Sequence, residues 1–235
     1  MAIFRRLFYA ALCAGALAGI FAAVAHQLGT VPIILKAEVY EAAQHKAVPA
    51  HSHPDTVAPA PAAAAWEPEN GAERAAYTLL ADLLAGIGFA LLLAAGLALR
   101  GGEVTWRDGV FWGLAGFAAF TLAPGLGLPP EIPGTEAAPL IARQAWWIAT
   151  VASTGGALAL FAFARRAVWS GLAALLIVAP HLYGAPQPAE HLSAPPEALA
   201  RQFVVAVTIA SFLFWLALGA ASGYFYRRFM PRASS

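Results

Sequence analysis

The sequence predicts an all-α, polytopic integral membrane protein with six transmembrane helices and both termini on the cytoplasmic side. Of its 235 residues, 60% are hydrophobic and 11% are charged, whereas a typical soluble domain carries about 25% charged residues. Long tracts hold no charge at all, and arginines recur in the short segments between alternate tracts. No further soluble domain is apparent, so residues 1–235 are predicted to form a single membrane domain.

Six apolar runs are long enough to cross a bilayer as helices, which satisfy their own backbone hydrogen bonds in lipid. The predicted spans are residues 7–28, 76–99, 109–128, 144–164, 167–183 and 203–226. Only Arg165 and Arg166 separate the fourth run from the fifth, which predicts a tight helical hairpin. Residues 1–28 also resemble a cleaved signal peptide, but their apolar stretch is longer than usual for one, which favours an uncleaved span.

Positive charge predicts the orientation of the spans. With a cytoplasmic N-terminus, nine of the 14 cationic residues lie in short inner segments. They are Arg5, Arg6, Arg100, Arg107, Arg165, Arg166, Arg227, Arg228 and Arg232. Three glycine pairs at helical spacing predict close helix–helix contacts. The pairs are Gly15 with Gly19, Gly109 with Gly113, and Gly219 with Gly223.

This orientation places all six histidines and ten of the 13 acidic residues on the external side. Imidazole and carboxylate groups are good ligands for divalent first-row metals such as cobalt, nickel and zinc, and neutral imidazole is the form that binds. The pattern therefore predicts an external face that receives metal ions. The alternative is that long outer loops collect polar residues without any ligand.

The first external segment, residues 29–75, supplies several candidate metal ligands. A helix is expected near AEVYEAAQH, where Glu38, Glu41 and His45 share one helical face. The alternative is the wet face of an interfacial helix. Residues 47–65 are rich in proline and alanine and are expected to be flexible. Within them, His51 and His53 form a two-histidine pair that is incomplete as a metal site.

Four other external or intramembrane residues are also predicted metal ligands. They are His26 at the end of span one, Asp82 inside span two, Glu131 in the rigid LGLPPEIPG stretch, and His191 in the last external loop. Asp82 is expected about 8–10 Å inside the outer end of its span. Ionisable residues within a membrane indicate function because burying them is costly. The alternatives are that Asp82 is a structural partner of Arg74 or of a hydroxyl group, or that it is a neutral, protonated acid.

His181 follows Pro180 at the end of the fifth span, within APHLYGAPQP. A histidine held there is expected to accept a metal ion from outside and to pass it toward the membrane. The alternative is an interfacial histidine that caps a helix and contacts lipid headgroups.

Several function classes are disfavoured by what the sequence lacks. No G-x-x-x-x-G-K-[ST], H-E-x-x-H or G-x-S-x-G motif occurs. No basic patch indicates nucleic acid, and a single cysteine argues against thiolate metal centres. We therefore expect no enzymatic activity and no tightly bound cofactor, only a transported cation. A structural or assembly subunit of a larger membrane complex remains the alternative function.

Several stretches in this order resemble the CbtA family, which comprises predicted cobalt transporter subunits. They are FRRLFYAALCAGALAG, PIILKAEVYE at 32–41, LPPEIPG at 128–134, ARQAWW at 142–147 and APHLYGAPQP at 179–188. The resemblance implies a bacterial inner-membrane protein that takes up cobalt for corrinoid (cobalamin) synthesis. It also implies a small single-span partner, CbtB, with a histidine-rich terminus.

Overall fold

A computed structural model describes residues 2–47, 66, 68–164, 167–189 and 193–230. These residues form eight α-helices and one π-helical turn. The helices are α1 (Ala2–Gly29), α2 (Val31–Ala47), α3 (Ala72–Arg100), α4 (Trp106–Phe117), α5 (Ala123–Gly127), α6 (Leu140–Phe163), α7 (Ala167–Tyr183) and α8 (Glu197–Phe229), with the π-turn at Ala118–Leu122. The only extended pairing in these ranges is an isolated bridge between Thr135 and Ser193. The predicted all-α class is confirmed.

Five stretches are long and apolar enough to cross a membrane. They are Ile3–Gly29, Ala72–Arg100, Trp106–Gly127, Leu140–Phe163 and Glu197–Phe229. Each overlaps one of the predicted spans and begins several residues earlier, because polar and charged residues continue the helices beyond their apolar parts. The remaining predicted span, the fifth, coincides with α7, which has 17 residues and is about 25 Å long at 1.5 Å per residue. That length is slightly below the roughly 30 Å of a hydrocarbon core.

The centre of the molecule is a bundle of α1, α3, α4 and α8, in which glycines allow close backbone contact. Gly15 and Gly19 of α1 lie directly against the α3 backbone at Asp82, Gly86 and Ile87. On the other side of the bundle, α4 and α8 meet through two glycine pairs. These pairs are Gly109 with Gly113 and Gly219 with Gly223. The contacts predicted from glycine spacing are therefore present.

The helical segment Trp106–Gly127 is irregular, because it contains a proline near its C-terminal end. Pro124 has no N–H group to donate to the carbonyl of Phe120, and the preceding turn widens into the π-turn. Within this turn the Ala123 N–H bonds to the Ala118 carbonyl, five residues back. Such π-turns are rare and occur frequently at functional sites. The sequence predicts a continuous span here, and its pattern gave no sign of the wider turn.

Basic side chains gather where α1 and α4 begin and α3 and α8 end, a region we call the basic end. Arg100 of α3 pairs with Asp108 of α4, and Asp108 also completes a capping box with Thr105. Arg6 donates to the backbone carbonyl of Phe229. One end of the bundle therefore carries the arginines of α1, α3, α4 and α8 that the sequence predicts to be cytoplasmic.

The opposite end of the bundle, which we call the α2 end, holds α2 and the loops on either side of the α6–α7 hairpin. Ile132 of the first loop is buried against Ala37 of α2 and Phe203 of α8. The predicted helix near residues 37–45 is confirmed, and it begins earlier, at Val31. Non-helical backbone starts at Leu128 rather than at Leu126, because α5 continues through Gly127.

The close contact between α4 and α8 should depend on glycine at position 109. A methyl group added there would overlap the carbonyl oxygen of Gly219, whereas one added at Gly88 of α3 meets no atom within 4 Å. Overpacking of this kind costs about 1–3 kcal/mol. We therefore expect Gly109→Ala to lower the melting temperature of the purified protein and Gly88→Ala to leave it unchanged or raised. Equal melting temperatures for the two variants would contradict the packing described here.

Candidate metal-binding site

The residues best placed to handle a metal ion inside the bundle are His26 of α1 and Asp82 of α3. His26 Nδ1 lies 3.0 Å from Asp82 Oδ2. The side chains are 32% and 15% exposed, respectively, so Asp82 is the more buried of the two. Asp82 follows the first residue of α3 by ten positions, which is about 15 Å along the helix axis. This distance exceeds the predicted depth because α3 begins at Ala72, before the apolar run.

The geometry of this pair follows from how the two helices pack. Gly19 of α1 lies against the carbonyl group of Asp82, so the two backbones are nearly in contact at this level. Side chains on a helix lean toward its N-terminus. Because α1 and α3 run in opposite directions, the His26 side chain leans toward Gly19 and the Asp82 side chain leans toward the α2 end. The imidazole and the carboxylate therefore converge.

The pair has the chemistry of a metal ligand with a supporting carboxylate. In the tautomer that carries its proton on Nδ1, His26 donates to Asp82 Oδ2, and the Nε2 lone pair is left free to coordinate a metal ion. Histidine ligands usually donate their second ring nitrogen to a carboxylate in this way, which fixes the tautomer and the ring orientation. The structure does not show the predicted alternative in which Asp82 pairs with Arg74.

Arg74 instead pairs with a candidate ligand on α2. Its Nη2 lies 2.7 Å from Glu38 Oε1. Glu131 is paired in the same manner, with Arg143 Nη2 at 3.0 Å from Glu131 Oε2. Glu41 lies beside Gly134, in the loop that follows α5. The structure thus places Glu38 and Glu131 in separate ion pairs, which partly neutralise them as ligands.

His181 lies on the α6–α7 hairpin. Its ring meets the edge of Trp146, with the centroids 5.7 Å apart, and Trp146 Nε1 donates to the carbonyl of Pro180 at 3.1 Å. His181 Nε2 is buried and has no hydrogen-bond partner among the residues that the structure describes. A buried nitrogen without a partner costs about 1–3 kcal/mol, so this atom is a candidate to bind an ion or a water molecule.

The remaining candidate ligands cannot be placed. The side chain of His45 lies outside the described part of α2, and His51, His53 and His191 lie outside the described residues. Among the residues that are described, no group of three or more His, Cys, Asp and Glu side chains is arranged to hold a metal ion. The structure brings together His26 and Asp82 and leaves the other described candidates apart.

Three residues organise these sites in ways that the sequence did not predict, namely Arg74, Arg143 and Trp146. Arg74 was expected as a possible partner of Asp82, whereas Arg143 and Trp146 belong to the ARQAWW stretch and had no predicted role. The available signal was a basic residue near a helix end in a region rich in acidic residues. Each arginine pairs with one carboxylate at the α2 end.

Comparison with known protein families gives one clear finding. A family model described as "Probable cobalt transporter subunit (CbtA)" matches residues 4–227. Neither the curated proteins nor the solved structures gave a match. The family match covers almost the whole chain and includes every helix described above except the first two residues of α1 and the last two of α8. Together with the five membrane-length helices, it shows that this multi-pass membrane protein belongs to the CbtA family of probable cobalt transporter subunits.

Proposed function

We propose that this chain is the membrane-spanning subunit of an uptake system for a divalent metal ion, cobalt in particular. The observation that carries the proposal is the His26–Asp82 pair between two membrane-length helices. An imidazole supported by a carboxylate is a suitable ligand for Co²⁺. In this proposal His181 receives the ion at the external face, and His26 binds it within the bundle.

The His26–Asp82 pair supplies too few ligands to hold a metal ion permanently, which suits transport of the ion. His26 supplies one nitrogen ligand and Asp82 at most one carboxylate, so water or a partner chain must complete the coordination shell. An ion must bind strongly enough to enter a pathway and weakly enough to leave it. Two positive charges that move inward gain roughly 4–5 kcal/mol per 100 mV of membrane potential, from about 2.3 kcal/mol per charge. Uptake by this route needs no nucleotide hydrolysis.

The partner of this subunit is proposed from the family. The family description names a subunit, and we propose a small single-span protein of the CbtB type as the other component. Its histidine-rich terminus would add the nitrogen ligands that the described residues do not assemble. We propose that the complex resides in the bacterial inner membrane, without nucleic acid, catalytic activity or a tightly bound cofactor.

The α6–α7 hairpin supports a topology of six spans with both termini in the cytoplasm. The hydrogen bond from Trp146 to Pro180 places the last turn of α7 level with the second turn of α6. Gly127, which ends α5, packs beside both Trp146 and Ala185. The chain between Ala167 and Pro180 thus retraces α6 from its far end. If α6 crosses the membrane, α7 also crosses it.

The apolar interior favours one alternative function, a structural or assembly subunit without transport. The core between α1, α3, α4 and α8 consists of alanine, leucine and aromatic side chains. This packing offers no described polar lining from one end of the bundle to the other. A measurement of cobalt uptake distinguishes the transport function from the structural one.

We expect radioactive cobalt uptake at nanomolar concentration in cells that lack their own cobalt importers and express this chain with its small partner. His26→Ala removes the proposed ligand, and Asp82→Asn removes the supporting carboxylate. Each should reduce the initial rate about tenfold or more, the usual effect of losing such support. His181→Ala should also reduce uptake. Glu197→Gln is the matched control, because Glu197 pairs with Arg201 on the exposed surface at the same end.

Uptake that is unchanged in both His26→Ala and Asp82→Asn, at equal protein level, would exclude the proposed path. A wild-type chain that reaches the membrane and imports no cobalt, with or without the partner, would favour the structural role.

The six-span topology predicts which positions a membrane-impermeant maleimide can label in intact cells. In a Cys13→Ala background, Glu136→Cys and Gln187→Cys should react from outside. Glu103→Cys and Ala164→Cys should react only after the membrane is permeabilised. Labelling of Ala164→Cys and Gln187→Cys from the same side would show that α7 does not cross.

A further inference from the structure

A cavity of about 900 Å³ opens at the α2 end, away from the His26–Asp82 pair. Its walls come from the π-turn and α5, the first turns of α6, the loop after α5, and one face of α8. The π-turn matters here because it presents Phe120, Thr121 and Leu122 to the cavity. Sites for small molecules commonly measure about 300–1,000 Å³. The cavity therefore has the size of a ligand site.

The charged groups of this cavity lie toward its α2 end, and aromatic and aliphatic side chains predominate further in. The ion pair between Glu131 and Arg143 lies near the α2 end, beside Gln144. Phe120, Trp147 and Ile148 line the cavity further along the helices. Ile148 follows Arg143 by five residues, which is about 7–8 Å at 1.5 Å per residue. A ligand that fits both levels has a charged head and an apolar tail.

Three large apolar side chains that line the cavity are exposed on the outer surface of the helices. Leu126 is 73% exposed, Leu140 is 63% exposed and Ile148 is 60% exposed, and all three line the cavity. Large apolar side chains exposed on a membrane-length helix face lipid. A ligand can therefore reach this cavity from the bilayer.

The Glu131–Arg143 ion pair can still bind both an anionic and a cationic group. Arg143 uses one nitrogen toward Glu131, and a guanidinium group has five N–H donors. The second oxygen of Glu131 remains able to accept hydrogen bonds from a donor group. A headgroup with an anionic and a cationic part can align antiparallel to the pair, with its anion on Arg143 and its cation on Glu131. A purely anionic headgroup would meet the carboxylate as well.

We propose that this cavity binds a phospholipid whose headgroup carries a phosphate and a primary ammonium, that is, phosphatidylethanolamine. Arg143 donates to the phosphate, and Glu131 accepts from the ammonium. The acyl chains lie along Phe120, Trp147 and Ile148. A quaternary ammonium has no N–H to donate, so phosphatidylcholine satisfies Glu131 less well.

The test measures lipid binding to the delipidated full-length protein in detergent by native mass spectrometry. We expect phosphatidylethanolamine to bind at least about tenfold more tightly than phosphatidylcholine or phosphatidylglycerol. Of the three headgroups, only its primary ammonium can donate a hydrogen bond from a cationic group to Glu131. Arg143→Gln should weaken binding of all three lipids. Glu131→Gln should abolish the preference for phosphatidylethanolamine over phosphatidylglycerol. The double variant Glu197→Gln, Arg201→Gln removes an exposed pair outside the cavity and should change nothing.

A second variant tests the apolar part without removing any charge. Gly125 lines the cavity, and a Cβ there meets no atom within 4 Å. Gly125→Leu should therefore fold and should weaken binding of every phospholipid by filling the space. Equal binding of all three lipids to the wild type, or normal binding to Gly125→Leu, would overturn the proposal. Glycerophosphoethanolamine without acyl chains should compete poorly, and competition as strong as the whole lipid would assign the cavity to a soluble zwitterion instead.

Discussion

The close approach of α1 and α3 at Gly15, Gly19 and Gly86 is the contact on which the proposed site depends. With no side chains between them, the two backbones meet near Asp82 and Ile87. This approach sets the register of the two helices. His26 stands two turns beyond Gly19 on the same face of α1, where its ring reaches the Asp82 carboxylate. A larger residue at position 19 would move Asp82 away from that ring.

The same kind of contact joins α4 to α8, and together the two contacts build the four-helix core. Lipid gives little hydrophobic drive for helices to associate, so close packing of small residues supplies much of the attraction. Aromatic side chains fill the space between the two glycine-lined pairs. Phe89 of α3 and Phe120 of the π-turn both contact Trp215 of α8. The core is therefore rigid and apolar, and the polar pairs lie toward its ends.

The glycine contacts, the helices and the helical nature of α2 could all be predicted, because each depends on local spacing along the sequence. The pairing of His26 with Asp82 could not, since 56 positions separate these residues and their meeting depends on the register of two distant helices. The ion pair between Glu131 and Arg143 was hidden for a different reason, because the path of the loop between α5 and α6 decides whether these two residues meet. The π-turn and the cavity could not be predicted, because Pro124 lies near the end of an apolar run. Prolines are common at helix ends, so this one did not indicate a wider turn. The family resemblance was correct, while the metal-ligand assignments remain predictions.

We propose that a divalent metal ion crosses this protein through His26 with the support of Asp82. The most direct test measures radioactive cobalt entering proteoliposomes that contain the purified chain and its small partner, under an imposed inside-negative potential. We expect potential-dependent accumulation that His26→Ala abolishes and that Gly88→Ala leaves intact. Accumulation that is equal in His26→Ala and wild-type vesicles would contradict it. So would wild-type vesicles that take up cobalt no faster than vesicles without protein.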